Sequence, residues 1–253
     1  MRPRQAASAT ATATRAPARR TPTRAAGAPP EDVGSQRIYH LTHVKNLADI
    51  LSAGRLLADG NSEWDARPTV DISSADNRAA RRNALLAAGG SSSVANYVPF
   101  ALTPKSSIWE GVLGGEADDR LASSVLDIAP ADFVMLVTTV KAVFEATDAR
   151  DGSNAVAVAV TDGDAANPLT RFGSTRDAAE RQIRKLRADQ LSEVILDAEL
   201  LVADEFPVER VTLIGVANDR ARDVVKSILQ DFSFRPKVAV YPPWFRPAED
   251  PAI

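Results

Sequence analysis

The chain has 253 residues, a net charge of −3, two histidines and no cysteine. Its length suits one domain of about 200 residues with a tail, or two small domains. Disulfides, thiolate metal sites and a cysteine nucleophile are excluded, and the two histidines, His40 and His43, are too few for a His-rich metal site. No apolar run approaches the ~18 residues that a membrane span requires.

Residues 1–34 are Ala, Thr, Pro and Arg with little to bury, a composition that stays disordered. They lack the apolar stretch of a secretory signal. Six arginines against Glu31 and Asp32 leave this segment at +4 and the rest of the chain at −7. The tail is either a basic arm for nucleic acid or a nonspecific extension. The acidic remainder argues against a broad basic binding face, so contact with DNA would run through a local groove.

The first element is a strand at Ile38-Tyr39-His40-Leu41-Thr42-His43 that leads into a short helix. Leu47, Ile50 and Leu51 are spaced at three and four. Asn46 is placed to cap that helix and Gly54 to end it in the left-handed conformation. His40 and Thr42 thus fall where a strand meets a helix, a common place for a ligand pocket. Residues 59–68 read as a loop around Trp64. A helix is expected over residues 73–86, with Ser73 or Ser74 as cap and Arg78, Arg81 and Arg82 along it. Residues 89–93 read as a loop, and a strand follows at residues 96–102, where Pro99 marks an edge or the end of pairing. Ile108 opens a short helix that Gly114-Gly115 closes.

Residues 133–140 form a strand, being apolar and β-branched, and residues 155–160 a second. Ser174 with Asp177 resembles a capping box that opens a charged amphipathic helix to Ala188, with Ala179, Ile183 and Leu186 inside. Residues 191–196 and 208–216 are further strands. Asn218 caps a last helix carrying Val224, Val225, Ile228 and Leu229, and residues 237–241 are the last strand. The mixture lacks a regular βαβα alternation and reads as α+β. No dinucleotide-binding glycine motif, phosphate-binding loop or zinc-binding helix motif is present, nor a serine-nucleophile elbow.

Glu193 stands among Leu191, Val194, Ile195 and Leu196. A carboxylate in a half-buried strand is either paired and used or turned to solvent on the alternate face. Arg82 is either a clamp for a diphosphate or carboxylate or a surface arginine. His40 is either functional or a satisfied histidine at a strand end.

The opening block from Ile38 to His43, with Asn46, Leu47, Ile50, Leu51, Gly54, Leu56 and Leu57 in order, resembles the opening of the DarT family, the toxin half of DarT–DarG toxin–antitoxin systems. Arg81-Arg82-Asn83 is similar to an Arg-Arg pair that precedes the family's Tyr-Val-Pro-Phe box, present here whole as Tyr97-Val98-Pro99-Phe100. Pro104 and Ser106 follow as in the family's Pro-Arg-Ser-Pro segment, with Lys105 in place of the arginine. Leu191-Ser192-Glu193-Val194-Ile195-Leu196 looks like the family's Gln-Ala-Glu-Phe-Leu-Val strand, with Leu191 for Gln and Ser192 for Ala. The resemblance runs over about residues 37–241.

What the resemblance implies is an ADP-ribosyltransferase-like fold, with antiparallel or mixed sheets and flanking helices, over residues 35–246. Residues 247–253 would be a short C-terminal tail. It implies an NAD-dependent enzyme that transfers ADP-ribose to thymidine or guanosine of single-stranded DNA, needs no metal, acts in the cytoplasm and is countered by a macrodomain-type, DarG-like antitoxin. His40, Leu41 and Thr42 would hold the nicotinamide and its ribose, with Asp49 and Leu57 at further NAD positions. Arg82 and Glu193 would be catalytic, Arg82 also touching NAD. About residues 150–193 would recognise the substrate, and Trp64, Trp109 and Arg171 are candidates for DNA contacts by residue type. Readings outside that activity are an ADP-ribosyltransferase acting on protein or RNA, and an inactive NAD- or DNA-binding protein.

Overall fold

The computed structural model describes residues 32–86, 91–149, 156–188 and 193–247. The body opens on a 3-10 turn, Val33–Ser35, capped by the Asp32 carboxylate, which accepts from the Gly34 amide at 2.9 Å. Val33 already packs in the core. Asp32 to Gly34 thus belong to the packed body, although composition assigns them to the tail; residues 1–31 lie outside the described residues.

Strand β1 (Arg37–His43) runs into helix α1 (Leu47–Ala53), as its periodicity predicts, and Gly54 ends the helix at φ 68°. Asn46 stands at the N-cap position as expected, but its side chain makes no capping bond. Its amide donates to Thr42 Oγ1 at 3.3 Å and to the Val70 carbonyl at 2.8 Å, and its side-chain oxygen accepts the Val70 amide at 2.9 Å. It thereby pins the loop before the next helix to β1. After β2 (Arg55–Leu57) comes α2 (Ala75–Asn83), whose first turn is capped by Ser74 accepting from the Asn77 amide at 3.0 Å. The helix is shorter than expected, because Ala84 turns extended and Leu85 bridges to Ser93.

Strand β3 (Tyr97–Ala101) and helix α3 (Ser107–Gly114) follow, the latter ended by Gly115 at φ 68°. Strand β4 (Phe133–Thr139) is buried on both faces, which is why it reads as an unbroken apolar run. Helix α4 (Val140–Asp148) starts directly after it, with Thr139 accepting from the Ala142 amide at 3.2 Å. That helix is concealed in the sequence by the apolar strand it adjoins. Strands β5 (Val158–Thr161) and β6 (Phe172–Gly173) lead to α5 (Arg176–Ala188), which buries Ala179, Ile183 and Leu186 as predicted. Its capping side chain is Thr175, which accepts from the Ala178 amide at 3.2 Å, rather than Ser174.

The strand expected over residues 191–196 is absent from the described part of that range. Residues 191 and 192 lie outside the described residues, and α6 (Val194–Asp197) is a single helical turn. The strand comes next, as β7 (Glu199–Ala203), followed by β8 (Glu205–Pro207), β9 (Leu213–Val216), α7 (Asp219–Leu229) and β10 (Lys237–Val240). Asn218 caps α7 through the Ala221 amide at 2.9 Å.

Eight strands form one sheet in the order β10-β9-β4-β1-β3-β7-β5-β6, and β2 pairs with β8 in a small second sheet. All pairings are antiparallel except β9 with β10. One face packs Ile38, Leu136, Phe100 and Leu200 against α1, α4, α5 and α7. The other packs Phe133 and Met135 against Trp109 of α3 and Phe245 near the C-terminus. The mixed sheet with flanking helices is the α+β architecture expected from the pattern.

Pro99 sits in an interior strand, not at an edge. On one side β3 pairs with β7 along its whole length, from Tyr97↔Ala203 to Ala101↔Glu199. On the other side β3 meets β1 in register only at Tyr39↔Ala101. Beyond that point the two strands part, so a residue without an amide hydrogen forfeits no ladder bond there. The parting of β1 from β3 opens the cleft described next.

Candidate active site

A cavity of about 750 Å³ lies along the C-terminal half of β1, within the size range of small-molecule sites. His40, Leu41 and Thr42 form its floor, and Leu57, Trp64 and Tyr97 contribute apolar wall. His40 Nδ1 donates to the Pro99 carbonyl at 2.9 Å, which bridges the gap between the parted strands. A carbonyl can only accept, so the proton sits on Nδ1 and Nε2 is left as an acceptor. Burial pushes the His40 pKa below the ordinary histidine value, opposed in part by that carbonyl. The ring is therefore neutral near pH 7.

Glu199 opens β7 on the cavity wall and is gripped by Arg81 in two parallel bonds, Nη1 to Oε1 and Nη2 to Oε2, both 2.9 Å. The two side chains are 14% and 19% exposed. Burial works against the Arg81 charge, yet the neighbouring Glu199 carboxylate more than offsets it, and the guanidinium pKa is raised. The fork-to-fork geometry fixes the plane of the carboxylate as well as its charge. The backbone beneath is fixed too, since the Glu199 amide donates to Thr161 Oγ1 on β5 at 2.7 Å.

Arg82 also borders the cavity, but its side chain is 54% exposed and its bond to Asp59 is long, at 3.3 Å. Asp59 also takes Arg67 at 3.0 Å, so these two exposed arginines share one carboxylate at the cavity mouth. Arg67 lies over the Trp64 ring at 5.2 Å. Arg78 is held by Asp71 and by the Ser73 carbonyl. The three arginines of α2 therefore do not form a solvated stripe; Arg81 turns inward.

Of the residues singled out in the sequence, His40, Leu41, Thr42, Leu57 and Arg82 lie together on this wall, and Asp49 does not. Asp49 is exposed on α1. Glu193 is also exposed, at the start of the α6 turn and off the cavity wall. The strand that was to aim it inward begins six residues later, so the carboxylate delivered to the cleft is Glu199, not Glu193. Glu199 carries the same signal in stronger form: an acid heading Leu200-Leu201-Val202-Ala203, a longer unbroken apolar run. Arg81 was missed in favour of its neighbour because position on α2 decides which of the two points in. Trp109 cannot stack on DNA. It is 1% exposed, and its indole donates to the Trp244 carbonyl at 2.6 Å. Trp64 is on the wall, and Arg171 is exposed away from it. Lys105 is held on Glu110 at 2.8 Å.

Among the described residues no group of three or more His, Asp or Glu is arranged to hold a metal ion. No helix among them is long and apolar enough to cross a membrane.

Comparison with known proteins bears on what the cleft is for. A curated relative from Thermus sp. (strain 2.9), a "DNA ADP-ribosyl transferase", is 26% identical over 218 residues, covering 82% of this chain and 95% of that one. The fold is shared with Thermus sp. 2.9 DarT in complex with ADP-ribosylated ssDNA, at a TM-score of 0.65 and 24% identity over 83% of this chain and 95% of that one. The same protein in complex with NAD+ gives a TM-score of 0.61 at 24% identity, over 83% and 96%. Thermosipho africanus DarTG in complex with ADP-ribose gives 0.60 at 17% identity, over 83% of this chain and 51% of that longer one. The family model described as "ssDNA thymidine ADP-ribosyltransferase, DarT" matches residues 39–246, most of the chain, and the protein belongs to the DarT family.

Proposed function

We propose that this protein transfers ADP-ribose from NAD to a base of single-stranded DNA, thymidine being the base that the family's description names. The observation that carries this reading is Glu199, oriented by Arg81 on the wall of a cavity of dinucleotide size. Family membership supports it.

Breaking the bond between ribose and nicotinamide builds positive charge on the sugar, as glycoside cleavage does. A carboxylate fixed in advance stabilises that charge without rearranging at the moment of reaction. Glu199 is such a group. Arg81 keeps its proton throughout and so acts by holding the Glu199 carboxylate in place. The incoming base nitrogen gives up a proton as its new bond to the ribose forms, and the Glu199 carboxylate, which lines the cavity together with Asp59, Asp71, Asp164 and Asp197, accepts it. His40, Leu41 and Thr42 hold the nicotinamide ribose on β1, with the neutral His40 Nε2 as an acceptor for a sugar hydroxyl. Leu57 adds apolar contact. Arg82 and Arg67, which share the Asp59 carboxylate at the cavity mouth, are the cations able to swing onto a diphosphate. Asp49 and Glu193 have no part in this site. A macrodomain-type, DarG-like antitoxin that removes the adduct, and action in the cytoplasm, follow from the same family reading.

The test is labelled NAD offered with single-stranded DNA, duplex DNA, RNA and protein. Wild type labels single-stranded DNA alone, and mass spectrometry places the adduct on thymidine. Glu199→Gln loses at least a hundredfold in rate, on the order of one electrostatic stabiliser removed, whereas Glu193→Gln stays within about twofold. Label on RNA or protein instead, or a dead Glu193→Gln beside an active Glu199→Gln, refutes the assignment. Co-expression with a macrodomain hydrolase is expected to restore growth of a host carrying the wild-type chain.

A further inference from the structure

Arg120 is a half-buried cation that the reaction above does not use. It sits in the loop after α3, on the wall shared by the main cavity and a polar side cavity of about 450 Å³. Its guanidinium closes on three partners. Nε and Nη2 bond the Asp118 carboxylate at 3.0 and 2.7 Å, Nη1 bonds Asp197 Oδ1 at 3.0 Å, and Nη2 also reaches Ser107 Oγ at 3.1 Å. Ser107, the first residue of α3, donates in turn to Asp197. Asp164 lies 3.8 Å away. The Asp118 bonds, foremost, hold the guanidinium charged, against the cost of burial.

The backbone of the same residue makes a second tie. The Arg120 carbonyl accepts the amide of Ser74 at 2.9 Å, and Ser74 Oγ donates to the adjoining Asp119 carbonyl at 2.6 Å. Ser74 caps α2, the helix that carries Arg81. Asp197 ends α6, two residues before Glu199. One loop residue therefore touches the start of the helix bearing Arg81 and the turn leading to Glu199. The direct link between these two elements is the Arg81–Glu199 pair itself, and β7 is anchored from its other side by Thr161.

We propose that Arg120 is a positioning residue for the Arg81–Glu199 pair, acting through Asp197 to set the Glu199 carboxylate and through the Ser74 cap to set α2. The inference rests on the reading of Glu199 as the reacting carboxylate. Lysine keeps the charge but has one nitrogen, and cannot hold Asp118, Ser107 and Asp197 in one plane. Methionine keeps the length and removes every donor.

The experiment compares Arg120→Lys, Arg120→Met and Asp197→Ala with wild type in nicotinamide release, and in amide hydrogen exchange without NAD. A displaced catalytic group costs up to about a hundredfold in turnover. In Arg120→Met, kcat is expected to fall ten- to a hundredfold, with KM for NAD within threefold and the thermal midpoint little moved. Arg120→Lys falls between. Asp197→Ala matches Arg120→Met, and the double variant is no worse than either, because both remove one tie. The Ala198 and Glu199 amides exchange at least tenfold faster in Arg120→Met. A rise in KM with kcat unchanged makes Arg120 an NAD contact and overturns the proposal, as does additive loss in the double variant. Exchange at residues 198 and 199 equal to wild type also overturns it. If wild type releases no nicotinamide, the functional reading falls, and exchange alone still decides whether Arg120 sets Glu199.

Discussion

Two adjacent arginines on one helix show how far a single position governs the work of a side chain. Arg81 is mostly buried and doubly bonded to Glu199, while Arg82 is more than half exposed and shares Asp59 with Arg67. Arg81→Met strands Glu199 without its partner and is expected to cost about 1.5–3 kcal/mol in urea unfolding. Arg82→Met changes one exposed ion pair and is expected to stay within about 0.5 kcal/mol. Equal effects from the two would show that the pairing in the cleft is not what separates them. The histidines make a second prediction at this scale. Burial lowers the pKa of His40, and it lowers that of His43 against an opposing Asp132. The folded state thus prefers both rings neutral. Their contribution to stability is complete above the ordinary value of about 6.5. It is lost as the pH falls below that value, where the unfolded chain takes up protons that the folded chain refuses. Thermal midpoints measured from pH 7.5 to 5 should fall in wild type and fall less in His40→Gln; an identical slope in both would assign the loss to other groups.

Elements were legible where a local signal and burial agreed. The β1–α1 unit shows this: apolar spacing, a turn glycine at Gly54 and the core side of the helix all point one way. They failed where a short apolar run had to be read without knowing its surroundings. Residues 191–196 and 199–203 are both mostly aliphatic, and periodicity does not separate a strand from a helical turn at that length. Burial separates them: Val194 is 41% exposed, whereas Leu200 and Leu201 are fully buried between neighbouring strands. Placing the strand one apolar run early moved the acid from Glu199 to Glu193. Most of the cleft floor was thus readable, and the Arg81–Glu199 pairing was not, because the two residues are 118 apart in sequence and meet only in the folded chain. The C-terminal segment gives an element-scale prediction. A β-carbon on Gly215 of β9 would meet the Trp244 ring at 2.5 Å. That ring lies edge-on to Tyr39 and stacks on Tyr241, and its carbonyl accepts the Trp109 indole. Gly215→Ala must push the 3-10 turn Pro242–Phe245 off the sheet, and overpacking of this kind costs about 1–3 kcal/mol. A midpoint of urea unfolding unchanged from wild type would mean that the turn yields freely.

At the scale of the whole molecule, the charge is divided unevenly. Residues 1–31 carry six arginines against Glu31, and residues 32–253 are acidic. At the cavity mouth only Arg67 and Arg82 combine exposure with a shared counter-ion. A single strand of DNA that reaches the cleft therefore meets these two exposed cations at its mouth. Each phosphate neutralised contributes about −0.7 to the slope of log affinity against log salt for single strands. Two contacts at the mouth give a slope near −1.4 for residues 32–253 alone. The six arginines of residues 1–31 would steepen it in the full chain, since each cation that neutralises a further phosphate releases further counterions. Deleting residues 1–31 should then raise KM for an oligonucleotide several-fold at low salt and hardly at all at high salt. Nicotinamide release without DNA should stay within about twofold, because the described lining of the cleft comes from Tyr39 to Glu199. Parallel salt curves for the two proteins would show that the tail takes no part in binding DNA. A loss of nicotinamide release on truncation would show instead that the tail supports the cleft itself.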